Sequence, residues 1–483
     1  MAEQGIATRT LRGMAWAYGA YVGGRVLVLV STAVLARLLT PEDFGLVALA
    51  LTIMAMLEAF ADLGVGHALV VDTGERVEDR AETAFVISVA VGLVLALIVA
   101  GLSPVAAAVF DEPELIALTS VLGLNFLLRS FKSVHEALAR KAMDFRSITV
   151  ADFADAAVRG VVGIVLAIAG LGVWALVIGY LVGTLARTAA IWWRVRWRPR
   201  FKPRRAHLRQ LIGFGGGLSL VSLLNAFIGT FDDLVVGQVL GATALGLYVL
   251  GFRLPELLII NMSNVASDVL FPAFASVSKD ALASAYLTAL RYTLMVGLPL
   301  AVGLAVLAEP VILALFGDQW QETVTVTQIL TLYALGVTIG IPAGTVYKAT
   351  GRASVLLKLA IFRAALLAAG VLLLVDEGID AVAASQAAVA SLFSLIGLGL
   401  ATRLLSVGVG DIARAIWPAV LPTAGMAAVL LGIDRLLAEP WVVIAAGTVG
   451  GALAYLALVA VVSAESLRYI RLRLAGGGAV EGS

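Results

Sequence analysis

The 483-residue chain contains no cysteine and only three histidines. The first absence excludes disulfides, zinc–thiolate sites and a cysteine nucleophile. His67, His135 and His207 lie too far apart in sequence to give metal-ligand spacing. Charge is also scarce. Only 14% of residues are charged and the formal net charge is +1, against about 25% charged in an average soluble domain. Neither a Walker A sequence nor a strand–GxGxxG–helix context occurs, which removes the usual nucleotide-binding signatures. The ten-residue alternation of apolar and polar residues that marks a transmembrane β-strand is missing as well. No cofactor, metal or nucleic-acid partner is expected.

What remains is apolar: 61% of the chain is hydrophobic. A soluble fold must cover itself with polar groups and cannot hide that much apolar surface. Successive apolar runs of about 18 residues or more indicate helices that span a bilayer. The expected fold is therefore an all-α polytopic membrane protein with about fourteen transmembrane helices. Apolar runs fall near 13–38, 44–66, 83–103, 115–134, 152–170, 173–193, 211–231, 246–268, 286–308, 324–346, 354–375, 380–402, 414–433 and 441–463. The run from Gly13 to Leu39 is too long for a cleavable signal and lacks a small-residue cleavage site.

Lysine and arginine crowd into alternate connecting segments. The opposite set of loops holds only Arg37 and Arg435. By the positive-inside rule both termini are then cytoplasmic. Half of the residues in "RVRWRPRFKPRRAHLR" (Arg194 to Arg209) are basic. This segment reads as a topological anchor joining two bundles in preference to a site for anionic lipid headgroups.

The chain also repeats itself. "LLTPEDFGL" (Leu38 to Leu46) aligns with "VLGATALGL" (Val239 to Leu247) at an offset of 201, pairing Leu39 with Leu240 and Gly45 with Gly246. "SPVAAAVFDEPE" from Ser103 aligns with "EPVILALFGDQW" from Glu309 at 206, and Lys141-Ala142 aligns with Lys348-Ala349 at 207. Each repeat holds six spans, and an even number preserves direction, so the halves have parallel topology. The expected organisation is a bundle over 1–193, a basic linker over 194–210, a second bundle over 211–402, and two further helices with a tail over 403–483. Two facing bundles are a common transporter plan, with the substrate between them. The opening turn reads as a hairpin bracketed by Pro41 and Gly45, with Glu42 and Asp43 as solvated loop charges.

Charged residues inside membrane spans are costly and face a bundle interior, a cavity or a partner. Asn125, Arg129, Lys132 and Glu136 share one helix face at i, i+4, i+7 and i+11, suiting either a cationic cavity wall or the snorkelling inner end of a helix. Asp155 and Arg159 are spaced for an internal salt bridge. Arg25 sits mid-span beside Gly23-Gly24, and Arg253, Glu256, Asn261, Asn264 and Asp268 form an extended polar face. Arg363 and Arg187 are further cations. The candidate cationic cavity is Arg25, Arg129, Lys132, Arg159, Arg253 and Arg363; arginine forks suit phosphate. Glu58, Asp62, Asp232 and Glu256 are candidates for coupling to a proton or sodium ion, and Asp233 reads as an interfacial group.

"LARLLTPEDFGLVALALTIMAMLEAFADLGVGHALV" (Leu35 to Val70) resembles the first two spans of bacterial polysaccharide-biosynthesis flippases. The basic linker, the span number and the six-plus-six repeat are similar to the wider multidrug/oligosaccharidyl-lipid/polysaccharide exporter superfamily. The resemblance implies translocation of an undecaprenyl-diphosphate-linked oligosaccharide across the inner membrane by alternating access, with proton or sodium movement as the implied drive. In the related lipid II flippases an arginine on span 1 and another on span 8 line a cationic cavity. By position Arg25 and Arg253 match them. The partners implied are the lipid-linked oligosaccharide, membrane lipids, and polysaccharide polymerase or assembly proteins. A cation-coupled multidrug exporter of the same fold is the alternative. A polymerase or ligase acting on the lipid-linked glycan is a third, disfavoured because every outer loop is short.

Overall fold

The computed structural model describes residues 23–61, 77–200 and 227–462. Among these residues every element is helical, and no strand occurs. The helices are α1 (23–38), α2 (Pro41–Ala61), α3 (Val77–Phe110), α4 (Leu115–Lys141), α5 (Phe145–Ile168), α6 (Val173–Arg194) and α7 (227–239). They continue with α8 (Gly241–Ser276), α9 (Lys279–Val306), a short α10 (Ala308–Phe316), α11 (Thr323–Ala349) and α12 (Ala353–Leu374). The last three are α13 (Ile379–Leu405), α14 (Val409–Leu436) and α15 (Pro440–Val462). Ten of the described helices are long and apolar enough to cross a membrane. His67, His207 and most of the basic linker lie outside the described residues.

The chain forms two compact units, Met1–Val249 and Leu250–Ser483. In the first, α3 packs on α4, and α5 on α6 as an antiparallel hairpin. The α5–α6 turn occupies only a few residues because Gly170 and Gly172 take φ of 82° and 54°, where a side chain is strained. In the second unit α11 packs on α13, and α9 on both α11 and α14. The two C-terminal helices are thereby built into that unit. Ala419 and Val459 join Leu290 and Leu294 in one apolar cluster, and Met426, Leu430 and Val443 join Leu307 in another.

The opening turn differs from its expected form. Pro41 is the first residue of α2, where a missing N–H costs nothing. Asp43 is not a loop charge: its Oδ2 accepts from the Thr40 backbone N–H at 2.9 Å, and the Asp43 N–H donates to Thr40 Oγ1 at 3.2 Å. This reciprocal pair is a capping box. Gly45 lies one turn inside α2. A Cβ there would stand 1.7 Å from the Ala242 carbonyl oxygen, and one on Gly246 would stand 1.8 Å from the Pro41 carbonyl oxygen. At the offset of 201 Pro41 corresponds to Ala242 and Gly45 to Gly246, so Gly45 against Ala242 and Gly246 against Pro41 are one contact made twice. Such reciprocity is what a two-fold relation generates. The glycines are there because two helix starts touch backbone to backbone.

The repeat continues through the turns. Asp111 after α3 and Gly317 after α10 both take positive φ, 55° and 102°, at the offset of 206. Beyond α4 and α11 the same ending recurs: Asp144 N–H bonds the Ala139 carbonyl and Arg352 N–H bonds that of Tyr347. One departure was not visible in the apolar pattern. In the first half "SPVAAAVF" prolongs α3 to Phe110, whereas its counterpart "EPVILALF" breaks away as the separate helix α10. Several helices also outrun their apolar runs, because hydropathy marks a membrane-sized window and not where backbone hydrogen bonding stops.

Candidate functional site

Charge in the first unit gathers where α2, α4, α5 and α6 meet. Glu136 is the hub. It accepts from Lys132 Nζ at 2.9 Å along α4 and from Arg187 Nε at 2.9 Å on α6. Arg187 spans onward to Asp152 of α5 at 2.7 Å, and Arg140 approaches Glu136 at 3.9 Å. Lys132 and Glu136 are each only 7% exposed. Removing such charges from water is costly unless opposite charge and hydrogen bonds replace it. The geometry supplies both. Arg129, one turn from Lys132, pairs with Glu58 of α2. Arg159 donates to Asp155 at 2.9 Å along α5, and its guanidinium lies 4.2 Å over the Tyr180 ring of α6. Gly183 makes room for this pair, since a Cβ there would stand 2.5 Å from Asp155 Oδ1.

The remaining candidates are placed as follows. Arg25 is half-buried on α1. Asp232, on α7, is buried and accepts from the Tyr248 hydroxyl at 2.7 Å. Asp233 is half-buried, with Thr52 Oγ1 3.5 Å from its Oδ2. In the second unit Arg253 bonds Glu256 at 3.0 Å, at the point where α8 loosens into a π-turn over Glu256–Ile260. Pro255 precedes that turn and lacks the N–H that would continue the regular ladder. Beyond it, the buried Ser263 shares a hydrogen bond with Thr338 of α11 at 2.8 Å. Arg363 is half-buried on α12, and its Nε has no hydrogen-bond partner among the described residues. Asp62 lies outside the described residues.

The structure thus brings Glu58 to Arg129 and Glu256 to Arg253, and it sets Lys132 beside Glu136. In this arrangement Arg129, Lys132, Arg159 and Arg253 each hold a carboxylate. The set is an alternation of acids and bases more than a bare cationic wall. Asp152 was absent from the sequence-based set and Arg187 stood in it only as an additional cation. No single helix shows them as partners, because Glu136, Arg187 and Asp152 come from three different helices. What the sequence does show is Glu136 on one face with Lys132, a hint that the face is not purely cationic.

Chemically, these pairs can exchange. A guanidinium held by a carboxylate at about 3 Å can pass its hydrogen bonds to another anion, and the displaced carboxylate must then find a proton, a cation or water.

The polysaccharide biosynthesis protein family matches residues 34–325, more than half of the chain. The chain is similar to the lipopolysaccharide biosynthesis protein WzxC of Escherichia coli, 26% identical over 74% of this chain and 73% of that one. The succinoglycan biosynthesis transport protein ExoT of Rhizobium meliloti is similar to the same extent. Among solved structures, the inward closed lipid II flippase MurJ superposes with a TM-score of 0.72, covering 94% of this chain and 100% of that one at 15% identity. An inward-facing MATE family multidrug resistance transporter of the MOP superfamily gives 0.66, covering 79% and 94% at 19% identity. At such identities the superpositions speak for the fold alone. The chain is a multi-pass membrane protein that belongs to the polysaccharide biosynthesis protein family and carries the fold of the multidrug/oligosaccharidyl-lipid/polysaccharide exporter superfamily.

Proposed function

We propose that the protein is a flippase that carries an undecaprenyl-diphosphate-linked oligosaccharide from the inner to the outer leaflet of the bacterial inner membrane. The carrying observation is the family match, reinforced by relatives whose names place them in lipopolysaccharide and succinoglycan biosynthesis. The oligosaccharide serves exopolysaccharide, capsule or O-antigen export. In this reading the chain works by alternating access between the two repeats, with both termini cytoplasmic and the basic linker joining the bundles.

The diphosphate is the part of the substrate that needs help in crossing, since charge in a bilayer is costly. Arg25, Arg253 and Arg363 are assigned to it. Arg253 would release Glu256 as a phosphate oxygen takes its place, and the loosened π-turn beside it gives that exchange local freedom. Arg129, Lys132 and Arg159 accept the same anion only by giving up Glu58, Glu136 and Asp155. Released carboxylates are natural proton acceptors. Glu58 and Glu256 are therefore assigned to proton or sodium coupling, and the buried Asp232, held by the Tyr248 hydroxyl, is a third candidate on its burial alone. Domain partners of this kind of transporter would be polysaccharide polymerase or assembly proteins.

The test is the lipid the protein keeps. Purified gently from its native membrane and analysed by mass spectrometry, it is expected to retain a polyprenyl-diphosphate glycan. Retention of cationic drugs with no such lipid would overturn the reading in favour of a multidrug exporter.

A further inference from the structure

Where α6 ends at Arg194, the chain runs on from Val195 to Arg200 outside any helix, with Val195 itself in an extended conformation. Exposure alternates along it: Arg196, Arg198 and Arg200 are exposed, while Val195, Trp197 and Pro199 are half-buried. That is the period of two that an extended chain imposes. The inward side is docked. Val195 packs in a cluster with Ala139, Ala151 and Ile191, and Trp197 packs edge-on against Phe85 and His135. Two polar contacts lock the register. Buried Glu82 accepts the Arg200 backbone N–H with both carboxylate oxygens, at 2.8 and 2.7 Å, and His135 Nε2 meets the Trp197 carbonyl at 3.1 Å. Arg198 bonds the Val195 and Trp197 carbonyls at 2.8 Å each and stands over Trp192. Neither Arg196 nor Arg200 makes an ion pair among the described residues.

The surroundings indicate what this strip faces. Trp193 is 76% exposed, Met143 78% and Phe145 58%. They belong to the same end of the first unit, since Arg194 Nε bonds Ser147 Oγ across the α5–α6 hairpin at 3.1 Å. Bulky apolar side chains left bare at the end of membrane helices sit at the interfacial depth, where tryptophan is favoured.

Against the sequence-based reading of this segment as an anchor alone, and on the strength of its docked backbone, we infer that Arg196, Arg198 and Arg200 form a preorganised binding strip for the headgroup phosphates of the bilayer's own anionic phospholipids. The docked backbone holds the arginines on its exposed side, so the strip is ordered before lipid arrives and loses little entropy on binding. This inference does not depend on the identity of the transported lipid.

The experiment uses the full-length protein in phosphatidylcholine vesicles free of polyprenyl diphosphates. Spin-labelled phosphatidylglycerol and phosphatidylcholine report selectivity in the lipid shell. A preference for phosphatidylglycerol is expected, weakening with salt. In the triple variant Arg196→Gln, Arg198→Gln, Arg200→Gln the strip's affinity should drop on the order of a hundredfold, since each basic residue near the surface contributes about fivefold. The corresponding triple lysine variant should retain most of it. Trp197→Ala, which keeps every charge but undocks the strip, should lose the preference as well. Loss in the lysine variant equal to that in the glutamine variant would assign the effect to misfolding and overturn the inference. So would undiminished selectivity in the glutamine variant, or selectivity that arises only when a polyprenyl diphosphate is added; that last outcome would move these arginines to the transported substrate.

Discussion

Replacing Gly45 by alanine puts a methyl group 1.7 Å from the Ala242 carbonyl oxygen, and real Cβ contacts essentially never fall below 3.0 Å. The two helix starts must therefore part by about 1.3 Å. The obstacle is backbone on both sides, so no side chain can rotate away. Overpacking of this kind costs about 1–3 kcal/mol, and the upper end applies when backbone must move. Gly246→Ala repeats the perturbation at 1.8 Å from the Pro41 carbonyl. Because one separation relieves both clashes, the double variant should be less destabilised than the two singles added together, the sign of coupled sites. Gly101→Ala and Gly344→Ala, whose added methyl groups meet nothing within 4 Å, are the controls. The assay is the apparent unfolding midpoint of the purified protein in detergent, followed by tryptophan fluorescence. Midpoints for the Gly45 and Gly246 variants that match those of the controls would refute the backbone contact. Strict additivity in the double variant would refute its reciprocity.

Two further outcomes follow from the charge pattern. Glu136→Gln removes the carboxylate shared by Lys132 and Arg187, leaving two buried cations short of their partner; a loss of about 3–5 kcal/mol is expected, visible as a lower unfolding midpoint, and a midpoint unchanged from the parent would mean the network is solvated. At the turn after α3, partial burial above all, then Glu42, Glu114 and Asp111, raise the Glu112 carboxyl above its ordinary value of 4.5. The folded state then holds this proton more tightly than the unfolded chain, so the contribution favours folding at low pH and is lost as pH rises through the window above 4.5. Glu112→Gln should flatten that part of the stability–pH curve and raise stability near neutrality; an unchanged slope would remove Glu112 as its source.

How much of this was legible in the sequence depends on the scale of the feature. Membrane helices were readable because a bilayer demands a long apolar window, and the duplication because glycines at a backbone contact leave no alternative residue. The runs 152–170 and 173–193 leave only two residues between them, and the positive φ of Gly170 and Gly172 is what lets so short a break turn the chain. The Thr40–Asp43 cap is written in the T-x-x-D spacing, but hydropathy registers only the charges there and not the orphan N–H groups of a helix start that they satisfy. The partners of Arg187 and Arg129 were out of reach. Periodicity orders residues around one helix, while an ion pair between helices depends on their packing. For the same reason the break that separates α10 from α9 was not visible: Val306 and Ala308 read as one apolar run.

The most direct test of the account follows a fluorescent undecaprenyl-diphosphate-linked oligosaccharide across proteoliposome membranes, scored by its exposure to a membrane-impermeant quencher. The protein is expected to speed its appearance in the opposite leaflet, and the double variant Arg25→Gln, Arg253→Gln to abolish this while remaining folded and inserted. No acceleration by the parent protein would contradict the proposed function, and normal delivery by the double variant would contradict the assignment of the diphosphate to these two arginines.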